Sequence, residues 1–258
     1  MKHLTGLLAA LLAAFAFSGC ALTMNMHANR FQSPEVEGRL GEGYVDMGIG
    51  GSNELVQTSD QTQNPPNLTS PYFQRSDREY YLGGGIGLTD RLNVELRNPF
   101  SDTGILEAKY QFLGEPHNAA KEGNFSFSAA GGVFYAAPSQ SNADAFANVT
   151  ATSSRNIWTL DAALLAGYRF TEAVLLYAST SYTYNSYSGK IDQTVASVPK
   201  SYNFSGTAHQ IGFNLGFEFS LGQCLIKVEE AYAIADATQT NSTKTARAYT
   251  GVSLGFSW

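Results

Sequence analysis

The segment 245-TARAYTGVSLGFSW-258 decides how this chain is to be read. As a strand it places Ala246, Ala248, Thr250, Val252, Leu254, Phe256 and Trp258 on one face. Arg247, Tyr249, Gly251, Ser253, Gly255 and Ser257 fall on the other, because successive side chains of an extended chain point to opposite sides. One face is apolar and ends in two aromatic rings; the other is small and polar. A sheet in water buries its apolar face against a second layer. A closed barrel in a bilayer turns that face outward and keeps the polar one inside. The same alternation recurs from residue 38 onward, and the recurrence selects the second arrangement.

Working back from this segment, alternation and turn residues predict strands near 38–50, 78–88, 91–98, 104–113, 123–136, 157–169, 173–186, 207–220, 223–235 and 245–258. Thr89-Asp90, Thr171-Glu172 and Gly222-Gln223 make tight turns, and 114–122 a modest one. The stretches 51–77, 137–156 and 187–206 are long and rich in Ser, Thr, Asn, Gln and Pro. Short turns at one end and long loops at the other is the plan of an outer-membrane barrel. The expected fold is therefore all-β: a closed antiparallel transmembrane β-barrel of about ten strands, with eight as the alternative count. Lipid-facing aromatics fall into two groups by height. Phe112, Phe125, Phe127, Tyr168, Phe170, Phe217, Phe219, Phe256 and Trp258 lie near the short turns; Tyr80, Tyr135, Trp158, Tyr182, Tyr184 and Tyr232 lie near the long loops. Two such belts suit the two membrane interfaces. Glu230 is out of place, since strict alternation points it to lipid unless a bulge near Glu229-Glu230 intervenes or the position lies close to the interface.

Composition agrees. Only 15% of residues are charged, against roughly a quarter in soluble domains. After the leader no apolar run approaches the ~18 residues of a membrane helix. A net charge of −6 gives no electrostatic footprint for nucleic acid.

The chain opens with Met1-Lys2-His3 and an apolar run from Leu4 to Phe17 that ends in small residues at Ser18-Gly19-Cys20. Residues 1–19 are expected to be a secretory signal peptide. FSGC resembles a bacterial lipobox, which implies lipidation of Cys20, and Ala21 after it implies outer-membrane sorting. Residues 20–37 are expected to form a polar tether, and 38–258 the barrel. Cys224 is the other cysteine, and no disulfide is expected.

Leader, alternating strands, alternating connection lengths and the terminal LGFSW together resemble small bacterial outer-membrane β-barrel proteins of the porin-like superfamily, over about residues 38–258. The resemblance implies a bacterial outer-membrane location in contact with outer-membrane lipid. It also implies that Leu254, Phe256 and Trp258 form the assembly signal read by the barrel assembly machinery. An even strand number would leave both termini on the periplasmic side, within reach of the inner leaflet for a lipid on Cys20.

Parity points Glu42, Asp46, Glu79, Glu95, Arg97, Glu107, Lys109, Asp161, Arg169, Glu218, Lys227, Glu229 and Arg247 into the lumen. Pairing 91–98 with 104–113 around Asp102 sets Glu95 opposite Lys109 and Arg97 opposite Glu107. Pairing about Gly222-Gln223 sets Glu218 opposite Lys227. Opposite charges across a ladder attract, so these three pairs are expected to plug the lumen. No catalytic, cofactor or metal residues are expected. His27 falls in the tether, His117 in a short-side turn, and His209 on the outward face, where only Ser205 offers a weak His-Ser partner. The expected function is a non-enzymatic structural or surface-recognition barrel whose loops bind an unidentified extracellular ligand. The alternatives are a narrow channel for ions or small solutes, and a barrel enzyme acting on lipid A or on proteins.

Overall fold

We describe a computed structural model of the chain covering residues 21–60, 67–68, 70–144, 149–195, 198–239 and 242–258. The signal region and Cys20 lie outside the described residues. The described residues contain thirteen strands: β1 (Ala21–His27), β2 (Gly43–Asp60), β3 (Asn67–Leu68), β4 (Tyr72–Gly87), β5 (Leu92–Arg97), β6 (Ile105–Leu113), β7 (Phe125–Ala136), β8 (Ser139–Asp144), β9 (Val149–Thr171), β10 (Val174–Val195), β11 (Val198–Leu221), β12 (Cys224–Thr238) and β13 (Ser242–Ser257). Among the described residues there is no helix.

Eleven strands lie on one hydrogen-bonded path that ends at β1 and β4, and β2 also pairs with β4. That pairing closes a ring of ten antiparallel strands, β2-β4-β5-β6-β7-β9-β10-β11-β12-β13. The wall obeys the dyad rule. In β13, Val252, Leu254 and Phe256 are 46%, 59% and 44% exposed, while Tyr249 and Ser253 are 2% and 1% exposed. Closure satisfies the backbone groups that an open edge would leave bare in lipid.

Three polar stretches expected as loops are partly strand. β10 and β11 stay paired from Val174↔Phe219 to Val195↔Val198, β8 pairs with the start of β9, and β2 and β4 pair as far as Val56↔Tyr72. Above the apolar band neither face needs grease, so the ladder continues while the alternation that reveals it stops.

Residues 20–37, expected as an exposed tether, are reassigned for the part described. β13 pairs with β2 only over 252–257 and 44–49. Beyond a bulge at Gly50/Ser52, β1 takes that edge of β2, from His27↔Ser52 to Ala21↔Thr58. From β1 the chain runs through the lumen toward the short turns, and Ala28 to Glu37 are all buried. It reaches the wall at Gly43, whose N–H meets the carbonyl of Trp258. Above this segment the long-loop half of the lumen holds an apolar core that includes Met24, Met26, Leu55, Phe73, Ile157 and Phe204.

Candidate functional site: the occupied lumen

A non-helical, non-strand segment can be buried only if its backbone groups find partners, and here the inward side chains of the wall provide them. Glu229, on β12, accepts the N–H of Arg30 (2.8 Å) and of Phe31 (3.0 Å). Asn214 and Tyr177 hold the same carboxylate from the wall at 2.9 and 3.1 Å. Two successive N–H groups converge on one anion because Phe31 adopts a positive φ of 51°, the geometry of a backbone nest. Lys227 donates to the carbonyl of Phe31 at 2.8 Å and Lys109 to that of Ser33 at 2.9 Å. Asn214 binds the Ala28 carbonyl, Gln111 accepts the N–H of Val36, and Asn93 accepts that of Glu37. Phe31 packs edge-on against Tyr81, with ring centroids 5.0 Å apart.

Side chains of the segment complete the charge pattern. The Arg30 guanidinium makes a fork with Asp161 at 3.0 and 2.9 Å, the strongly directional pairing of a planar donor with a carboxylate. Gln32 bridges Glu95 and Glu107, 2.8 Å from each. Nearer the short turns Glu35 is gripped by Arg169 and lies 3.5 Å from His117. Burial alone would strip the charge from His117. Its hydrogen bond to Glu35, with the charges of Glu218, Glu37 and Glu35, more than offsets burial, so its pKa lies above the ordinary histidine value.

The residues expected to plug the lumen are all buried there, with partners that differ in detail. Lys109 lies 2.6 Å from Glu95, and Arg97 lies 2.6 Å from Glu107. The β5–β6 register is two residues away from the expected one: Glu95 faces Glu107, Asn93 faces Lys109 and Arg97 faces Ile105. Those contacts are therefore diagonal. Glu218 does sit opposite Lys227, but Lys227 lies closer to Asp46 (3.0 Å) than to Glu218 (4.0 Å). Asp161 joins the network as the acceptor shared by Arg30 and Arg97.

The remaining sequence candidates stay apart from this network. His209 accepts or donates a 2.6 Å hydrogen bond to Tyr182 on the outer surface. Glu230 points outward without a bulge, since the β11–β12 and β12–β13 registers are unbroken; it accepts a 2.7 Å bond from Thr250. His27, expected in the tether, meets Ser101 at 3.1 Å at the edge of a recess of about 300 Å³ beside Tyr80 and Phe100. Asp102 next to it is held by Arg155 of β9 rather than by the His27 ring, and the His27–Ser101 contact clasps the β5–β6 loop onto β1. Among the described residues no group of His, Cys, Asp and Glu is arranged to hold a metal, and Cys224 is a free, exposed thiol.

A ten-stranded ring with an apolar outer band and a polar interior defines a β-barrel of the outer-membrane class. Solved structures of that class are similar to it. Ail of Yersinia pestis is 11% identical, with the match covering 84% of this chain and 100% of that one at a TM-score of 0.31. The N-terminal β-barrel domain of Pseudomonas aeruginosa OprF is 11% identical, covering 84% and 99%, at 0.27. The translocator domain of the autotransporter NalP from Neisseria meningitidis is 9% identical, covering 84% and 88%, at 0.30. The class rests on the closed ring and its exposed apolar band. No family model and no curated protein matches the chain.

Proposed function

We propose that this chain is a bacterial outer-membrane barrel sealed by its own N-terminal segment, acting as a non-enzymatic surface protein through the hairpins of its long-loop side. One observation carries the reading: Ala28–Glu37 fills the short-turn half of the lumen, and wall side chains bond its backbone and charges. In this reading Leu254, Phe256 and Trp258 are the signal read by the assembly machinery, and outer-membrane lipid covers the aromatic belts. Cys20 carries lipid, and an extracellular ligand binds the hairpins.

The extended β9–β11 wall offers a surface of suitable chemistry. A shallow recess of about 640 Å³ is lined by Ser154, Asn156, Ser188, Lys190, Asn203 and Ser205 among others, so it would favour a ligand rich in hydroxyl or anionic groups. Function on such hairpins follows the general placement of binding residues on connections held by a rigid scaffold.

Single-channel recording in planar bilayers tests the sealed lumen. Wild-type protein should be silent. An Arg30→Ala, Glu35→Ala variant, which frees the segment from Asp161 and Arg169, should leak. Steady discrete conductance from the wild type would replace the sealed barrel with a channel.

A further inference from the structure

We infer that the threaded segment delivers the amino terminus of the mature chain to the long-loop face of the membrane, opposite to Trp258, so that the terminus belongs to the exposed surface.

The wall gives the direction. β2 rises from Gly43, beside Trp258 at the short-turn end, and Thr58 lies fifteen residues further along it. At ~3.3 Å per residue and a tilt of about 40° that climb is roughly 38 Å along the barrel axis. The apolar band of such barrels is about 25 Å tall. Ala21 pairs with Thr58, so it stands beyond the band, on the side of the long hairpins. Neighbouring contacts agree. Arg155 of β9 binds the Thr23 carbonyl. Thr23 and Met24 share a recess with Leu55, Pro71, Tyr187 and Phe204, all on the long-loop half of the wall.

A terminus on the periplasmic side would require 21–37 to leave the lumen. Glu229 would lose two backbone donors, Asp161 its fork with Arg30, and Glu35 its contacts with Arg169 and His117. The seven β1–β2 pairs would go as well. Most of the contacts made by these carboxylates are charge-assisted hydrogen bonds, the stronger kind, so withdrawal is strongly opposed. Cys20 is one residue from Ala21, and consecutive Cα atoms are about 3.8 Å apart. Acyl chains on that cysteine would therefore enter the leaflet on the long-loop side, not the inner leaflet that a tether would reach. The placement of the terminus itself does not depend on lipidation, and it is read independently of conductance.

The test inserts a short epitope between Cys20 and Ala21 of the otherwise full chain, with antibody binding measured on whole cells. Intact cells should bind as much antibody as cells whose outer membrane has been permeabilised. Binding that rises tenfold or more only on permeabilisation would overturn the inference. A second variant needs no insertion: Thr23→Cys with Val56→Cys, partners across β1–β2, in a Cys224→Ser background. A disulfide should form in cells and shift mobility on a non-reducing gel. A folded, heat-modifiable barrel without that disulfide would equally overturn it.

Discussion

Arg30→Ala separates a lumen plug from an exposed tether. The guanidinium is 4% exposed and makes four polar contacts: two to Asp161 at 3.0 and 2.9 Å, one to Gln32 at 3.0 Å, and one to Glu107 at 3.6 Å. Removing one partner of a buried ion pair costs about 3–5 kcal/mol, because the other charge is left without compensation. Asp161 keeps Arg97 at 3.0 Å and Thr183 at 2.7 Å, which places the loss near the lower end, about 3 kcal/mol. That is roughly a 150-fold change in the unfolding equilibrium. The assay is urea unfolding of the refolded barrel in detergent micelles, followed by the fluorescence of Trp158 and Trp258. Asp161→Asn removes the same fork from the wall side, so a double-mutant cycle should return a coupling of about 2 kcal/mol. An Arg30→Ala loss within about 0.5 kcal/mol, as for a solvated side chain, would refute the plug.

Three further expectations follow from local geometry. His117 has a raised folded-state pKa, so its contribution is complete below its unfolded pKa and fades as pH rises through the folded value. The melting-temperature gap between wild type and His117→Gln should thus be widest near pH 6 and shrink by pH 9. A Cβ at Gly48 would lie 2.3 Å from the carbonyl oxygen of Val252 and 2.8 Å from the Cα of Ser253. Gly48→Ala should therefore prise the β2–β13 seam and lower the temperature at which the barrel loses its heat-modifiable gel shift, an overpacking cost of about 1–3 kcal/mol. Deleting Trp258 removes its backbone bond to Gly43 (3.0 Å) and its indole bond to Gly41 (3.2 Å), and should cut the yield of folded protein in membranes, read by the same gel.

The outer surface was legible in the sequence because lipid imposes a rule that water does not. Alternate residues in the lipid-facing parts of β13 and β9 are mostly apolar, and the alternation placed β13 within three residues of its bounds but found only the 157–169 part of β9, which begins at Val149. The lumen was half legible. Its wall charges were identified by parity, but with eight acids (Glu42, Asp46, Glu79, Glu95, Glu107, Asp161, Glu218, Glu229) against five bases (Arg97, Lys109, Arg169, Lys227, Arg247) they did not balance. The threaded segment does not even out that count, because it adds Glu35 and Glu37 beside Arg30; what it brings to the wall acids is hydrogen-bond donors. Arg30 and the backbone of Phe31 are among those donors. Residues 28–37 hid because a segment bonded to side chains of the wall has no period. The β5–β6 register differs by two residues because the ladder centres on Ser101 rather than Asp102, where 98–104 form a loop folded onto β1 through His27–Ser101 and Asn25–Thr103.

The path of the leading segment also has a consequence in time. Residues 21–37 precede every strand of the ring, and its seam joins the first ring strand, β2, to the last, β13. Drawing Arg30, Glu35 and Glu37 through a finished cylinder would desolvate each charge in turn before its partner was reached. Wrapping an open, curling sheet around them lets each carboxylate and guanidinium trade water for its partner as the wall arrives. On that route the leading peptide would serve as the mandrel on which the cylinder is wound.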